Sequence, residues 1–185
     1  MIMSLTIDMG TDIFYLVQGG TMSVTATIVA GVDGSTCIDG SSSQVTSTAD
    51  RSIFLERRRK ADCIIIGGNT ARNEPYVKTP VPLVVISRNP HPNLPAAHVW
   101  NMDPCEGIIK ASHEFGENVL IEGGASFITY LLEHNAVEIL ELSITTARGG
   151  TDIFDFERFL NHAESLTKKV TADTTFYSAI FRTQK

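Results

Sequence analysis

The chain has no apolar run near the roughly 20 residues that cross a bilayer, and its start lacks a basic stretch followed by an apolar core and small-residue cleavage site. Nor does it carry a surplus of cations: 15 basic residues face 21 acidic ones, for a net charge of -6. We therefore expect neither a membrane partner nor a broad nucleic-acid surface, so any anion must be gripped locally. Cysteine is scarce. Cys37, Cys63 and Cys105 are odd in number and form no CxxC, which points to free thiols in a reducing cytoplasm. HExxH, GxSxG and GxxxxGK[ST] are all missing, so zinc protease, hydrolase elbow and P-loop chemistries lack their defining residues. Zinc deaminases need HxE followed by PCxxC, whereas Pro104-Cys105 stands alone here and precedes His113-Glu114. The five histidines, at 91, 98, 113, 134 and 162, are scattered, and no metal site is expected. The GxGxxG fingerprint with an acid about 20 residues on is absent too, which argues against the common dinucleotide fold.

What is present suits a globular domain: 43% of residues are hydrophobic and 19% charged. We read residues 23–185 as a single domain and 1–22 as an extension whose character the sequence leaves open. Ser23 to Val32 is β-branched and apolar and stops at Asp33-Gly34, as a central strand does. A serine-rich loop covers 35–47, then Ser47 or Thr48 caps a helix running to about Lys60. Cys63–Ile66, Leu83–Ile86, Asn118–Ile121 and Val137–Thr146 read as further strands. A helical turn begins at Gly67-Gly68-Asn69-Thr70 and ends at Pro75, and a second helix runs to about His134. Two last strands fall near 167–171 and 175–182. Strands alternating with helices predict an α/β fold: a central, mostly parallel mixed sheet with an antiparallel C-terminal edge and helices on both faces.

Two strand ends lead through glycine pairs into helices, at 67–70 and at Glu122-Gly123-Gly124-Ala125-Ser126. Free amides at a helix start can bind an anion, so the pair suggests the two sides of a pyrophosphate. Ser87 and Arg88 follow a strand, where a hydroxyl and a guanidinium suit an adenosine 2'-phosphate. Arg57, Arg58, Arg59 and Lys60 end the first helix, where cations meet its dipole favourably, and one of them could reach over the serine-rich loop to a substrate.

Taken together these segments resemble the reductase domain of bacterial riboflavin biosynthesis proteins, the RibD C-terminal type, and more distantly dihydrofolate reductase. The family's A-x-S-L-D-G appears as Val29-Ala30-Gly31-Val32-Asp33-Gly34, and its S-x-W-I-T-S as Ser42-Ser43-Gln44-Val45-Thr46-Ser47. Its L-R-A-x-x-D-A-I-L-x-G-x-x-T runs without a gap along 57–70 when the arginine is set on Arg58, and its V-E-G-G is Ile121-Glu122-Gly123-Gly124. The resemblance implies a dihydrofolate reductase-like fold and NADPH as cofactor. It implies contacts from Val29, Ala30, Thr70, Glu74, Ser87, Arg88 and the stretch Gly123, Gly124, Ala125, Ser126 and Phe127. Ser42, Arg58, Glu122, Val77 and Lys78 would face a phosphoribosylaminopyrimidine whose ribose is reduced to a ribityl chain. A homodimer is implied as well.

Three family positions are not filled: Ser35 stands for a basic residue, Gln44 for the tryptophan and Pro80 for the last arginine of A-D-D-P-x-L-T-x-R, with Lys78 as a partial replacement. These departures gather on the substrate side. They leave open a reductase acting on a pteridine or other heterocycle, for which Asp50 or Glu56 would have to face the pocket. A nucleotide-binding paralogue without turnover is the third reading.

Overall fold

A computed structural model describes residues 22–91 and 93–181. The extension assigned to 1–22 lies, but for Met22, outside the described residues, as does Arg182 at the end of the last expected strand. The first strand, β1 (Ser23–Gly31), sits inside an eight-stranded sheet. It is flanked in parallel by β6 (Asn118–Glu122) and β7 (Ile139–Thr145). Beyond β6 come β3 (Cys63–Gly67), β4 (Leu83–Ile86) and β5 (His98–Trp100), all parallel. On the other side β10 (Thr174–Ile180) pairs antiparallel with β7, and β9 (Ser165–Val170) forms the edge. A separate two-stranded ribbon joins β2 (Ser35–Cys37) to β8 (Thr151–Ile153).

Central strands buried on both faces need apolar side chains at every position, which is why β3 reads Cys-Ile-Ile-Ile-Gly with all five residues buried. Its alternate residues serve different layers. Cys63 and Ile65 pack with α3 (Pro104–Phe115), α4 (Ala125–Glu133) and α5 (Phe156–Leu160) through Ile108, Ile128, Leu131 and Phe159. Ile64 and Ile66 pack on the opposite face with Ala71 of α2 (Gly68–Asn73), Tyr76 and Leu94. The first helix, α1 (Thr48–Lys60), starts at Ser47, whose hydroxyl accepts from Asp50 N–H.

The fold is the α/β one expected, with four elements added. β5, α3, β8 and α5 were not foreseen, and the expected serine-rich loop holds β2 and a 3-10 turn at Ser42–Gln44. Strand β7 begins two residues later than predicted, at Ile139, although Glu138 before it already donates its N–H to Val24 O of β1. No helix among the described residues is long and apolar enough to cross a membrane.

Candidate functional site

Helix α1 buries only two of its residues, and both are charged: Asp50 and Arg58. A surface helix normally lays an apolar stripe on its sheet. This one lies against a polar strip made by Thr27, Glu122, Glu141 and Ser143 of β1, β6 and β7, all on one face of the sheet. Asp50, Phe54 and Arg58 recur at four-residue intervals, which places them on one side of the helix. Between that side, the serine-rich turn and α2 lies a cavity of about 850 Å³, within the range that holds a cofactor-sized or substrate-sized ligand.

At the floor, Arg58 donates from Nε to Glu122 Oε1 at 2.8 Å and from Nη2 to Oε2 at 2.6 Å, and Tyr76 donates its hydroxyl to Oε2 at 2.7 Å. The Arg58 and Glu122 side chains are 8% and 2% exposed. The guanidinium is held between the rings of Phe54 and Tyr76, 4.4 and 4.7 Å from their centres. Burial works against the Arg58 charge, but the bonds and charge of Glu122 outweigh it and its pKa rises. Burial first, then the Glu122 charge, pushes the Tyr76 hydroxyl well above its ordinary range, so it stays a donor.

Asp50 is 6% exposed and also lines the cavity. Burial raises its pKa, while the Ser143 hydroxyl, Arg57 and Arg51 work in the opposite direction. Ser143 Oγ beside it is buried without a hydrogen-bond partner among the described residues. Arg57 is spent elsewhere, bonded to Glu141 at 2.5 Å and to the Thr27 hydroxyl at 3.1 Å. Arg51, exposed at the cavity wall, makes no ion pair with a described carboxylate.

The roof is tied down by Glu74, which accepts from Ser42 N–H at 2.7 Å, and by Thr145, whose hydroxyl donates to Val45 O at 2.7 Å. Asp33 fixes the turn after β1. It accepts from the Ser35 hydroxyl and from Gly149 and Ser35 N–H, bonds that hold its pKa down to about 2.

Of the residues named from the sequence, Val29, Ser42, Arg58, Thr70, Glu74, Glu122, Gly123 and Gly124 line this cavity together. The others stand apart. Ala30 is wholly buried, and Val77, 71% exposed, and Lys78 point to solvent outside the lining. Ser87 and Arg88 sit at the end of β4, outside the lining, with Arg88 exposed. Ala125 is buried in the first turn of α4, while Ser126 is exposed.

The two glycine turns do meet, but through Phe127. A Cβ on Gly67 would lie 3.3 Å from Phe127 Cδ2, and one on Gly123 would lie 2.8 Å from Cδ1, so these glycines admit the ring. Gly124 differs. It caps α4 without a side-chain bond and has open space where a Cβ would go; Phe127 N–H turns back to Gly124 O, so the Ala125 and Ser126 amides are those without a side-chain cap. Tyr76 was not singled out as a site residue, and Asp50 was named, with Glu56, only for the pteridine alternative; Asp50 lines the cavity and Glu56 does not. The four-residue spacing of Asp50, Phe54 and Arg58 was the available signal for Asp50; Tyr76, in a short loop, offered none.

Burial pushes Cys63 up to about 12, Cys105 up to about 11 and the cavity thiol Cys37 above its usual value, so none is poised as a thiolate nucleophile.

The sequence matches the RibD C-terminal domain family over residues 22–171. The chain belongs to that family. Its fold is similar to that of a diaminohydroxyphosphoribosylaminopyrimidine deaminase/5-amino-6-(5-phosphoribosylamino)uracil reductase from Thermotoga maritima, at TM-score 0.67 and 14% identity. The match covers 88% of this chain but 57% of that protein. A pyrimidine reductase-like protein from Corynebacterium diphtheriae aligns at TM-score 0.66 and 16% identity, over 87% of this chain and 92% of its own. Dihydrofolate reductase from Enterococcus faecalis, in a complex with NADP(H), aligns at TM-score 0.64 and 16% identity, over 88% and 97%. These likenesses establish the dihydrofolate reductase-like fold of this family member. No curated protein matches the chain in sequence.

Proposed function

We propose that the protein is a cytoplasmic NADPH-dependent reductase of the riboflavin type. Its substrate is 5-amino-6-(5-phosphoribosylamino)uracil or a related phosphoribosylaminopyrimidine, whose ribose becomes a ribityl chain. The observation that carries this reading is a charged floor, Arg58–Glu122–Tyr76, buried between α1 and the carboxyl end of β6, directly before the uncapped start of α4. A buried ion pair is weak as a stabilising device, so its presence under a cavity favours a binding role. NADPH, when bound, supplies the hydride.

The chain's own residues bind and orient. Gly124 and the α4 amides take the pyrophosphate, Ser87 and Arg88 the 2'-phosphate, and Thr70 and Val29 flank the cofactor. Glu122 Oε2 is filled by Arg58 Nη2 and the Tyr76 hydroxyl, and the one lone pair left on Oε1, beside its bond from Arg58 Nε, accepts from a substrate amino or hydroxyl group. Arg58 holds that carboxylate in place rather than gripping the substrate phosphate, because its charge is already paired. Arg51, the cavity-wall cation that makes no ion pair among the described residues, takes the phosphate. Positioning dominates the rate in such a site, with water or a substrate hydroxyl completing protonation.

One observation favours a second reading, a pteridine-type reductase: Asp50 faces the cavity from the first turn of α1, buried and inclined to hold a proton. Adding the phosphoribosylaminopyrimidine to enzyme and NADPH separates the two. Cofactor oxidation supports the first reading; oxidation with a dihydropteridine alone supports the second.

A further inference from the structure

A buried histidine at the carboxyl end of β4 has no part in the reaction as described. His91 is 5% exposed, and its Nε2 lies 2.9 Å from Ser87 Oγ. Asn89 N–H donates to the same oxygen at 3.1 Å. A hydroxyl has two lone pairs and one proton, so these contacts decide what Ser87 can offer a ligand. If Nε2 is bare, Ser87 donates inward to it and keeps only a lone pair for a ligand, which suits a ribose hydroxyl. If Nε2 carries a proton, both lone pairs are filled and the Ser87 proton turns outward.

We propose that His91 is a positioning residue that donates from Nε2 to Ser87, making Ser87 a pure donor that selects a 2'-phosphate over a free 2'-hydroxyl. The surroundings agree in sign. Arg88 is exposed beside Ser87, and Arg72 of α2, bonded to Asn69, reaches to within 3.5 Å of the space beside Gly68 that Ser87 also borders. Neither arginine makes an ion pair with a described carboxylate. A phosphate oxygen accepts from every one of these donors, and its charge strengthens each bond. A 2'-hydroxyl brings a proton of its own, which neither Ser87 nor the two arginines can accept. The imidazole therefore sets the polarity of the site without touching the cofactor.

The inference rests on the NADPH reading above, and binding measurements on the full chain distinguish failure of one from failure of the other. Dissociation constants for NADPH and NADH are compared in the wild type, His91→Leu, His91→Gln, Ser87→Ala and the Ser87→Ala/His91→Leu double variant. The wild type should prefer NADPH by more than about tenfold, and His91→Leu should lose about tenfold of that preference. His91→Gln, which restores an N–H donor, should stay within about threefold of wild type. The double variant should be no worse than Ser87→Ala alone, since His91 acts only through Ser87. Equal weakening of NADPH and NADH in His91→Leu, an additive loss in the double variant, or a glutamine variant as impaired as leucine overturns the proposal. Wild-type protein that binds neither nucleotide overturns the NADPH reading itself. An NADPH-selective wild type with an unaltered His91→Leu overturns only the role of His91.

Discussion

Removing one member of the Arg58–Glu122 pair strands the other in the protein interior. With side chains 8% and 2% exposed, each partner meets the cavity water at its edge alone once the other is gone. Breaking a buried pair this way costs about 3–5 kcal/mol, a large part of the roughly 5–15 kcal/mol that holds a typical domain folded. At roughly 2–4 °C per kcal/mol for a chain of this size, Arg58→Leu or Glu122→Leu should melt about 6–20 °C below wild type. The double variant leaves no stranded charge, only the Tyr76 hydroxyl without its acceptor, at about 1–3 kcal/mol. Adding Tyr76→Phe removes that as well. Urea unfolding of the singles, the double and the triple gives the coupling directly, expected at about 3 kcal/mol or more. Singles costing less than about 1 kcal/mol, or a strictly additive double, would show that the pair is not desolvated and refute the reasoning. The triple variant should fold yet show no reductase turnover, because the carboxylate proposed to receive the substrate is gone. Stability and function then part company at one site.

Burial raises the Asp50 pKa in the folded protein above its ordinary 3.8. The folded state thus holds that proton more tightly than the unfolded chain, and stability is lost as pH rises from about 4 upward through the folded value. Asp50→Asn should match wild type in acid and gain on it toward neutral pH in thermal melts; a difference independent of pH would contradict this. Gly123→Ala places a methyl 2.8 Å from the Phe127 ring and should destabilise by about 1–3 kcal/mol, with Phe127→Leu recovering part of the loss in denaturant titrations. Arg88→Ala should lower the preference for NADPH over NADH by about tenfold, about 1.4 kcal/mol, measured by cofactor titration.

Much of the fold was legible because the central strands carry it in their side chains. Runs such as Cys63 to Ile66 and Leu83 to Ile86, bounded by glycine or proline, have few alternatives to a buried parallel strand. The missed elements are those whose burial pattern is weak. Strand β8 is exposed at all three positions, and β5 is exposed at two of three, so neither shows apolar alternation. Helix α3 carried a start signal in Asp103 and Pro104, the cap and first turn, but Gly107 follows three residues on, where a helix breaker argues against continuation. That glycine has a packing cause visible only in three dimensions: its Cβ would meet Ile86 Cδ1 at 2.6 Å. In the site, glycines that looked like phosphate contacts split into two kinds, Gly67 and Gly123 making room for Phe127 and Gly124 standing open. Spacing could not separate them. Nor could sequence show that Arg58 and Glu122, 64 residues apart, satisfy each other rather than both facing a ligand.

The central claim, a pyrimidine reductase using NADPH, is tested most directly by following the dihydronicotinamide absorbance of NADPH in the presence of the wild-type protein. On addition of 5-amino-6-(5-phosphoribosylamino)uracil the absorbance should fall, with the ribityl product appearing in equal amount, and Glu122→Leu/Arg58→Leu/Tyr76→Phe should abolish the fall. A steady absorbance with tightly bound NADPH, and no product, would contradict the account.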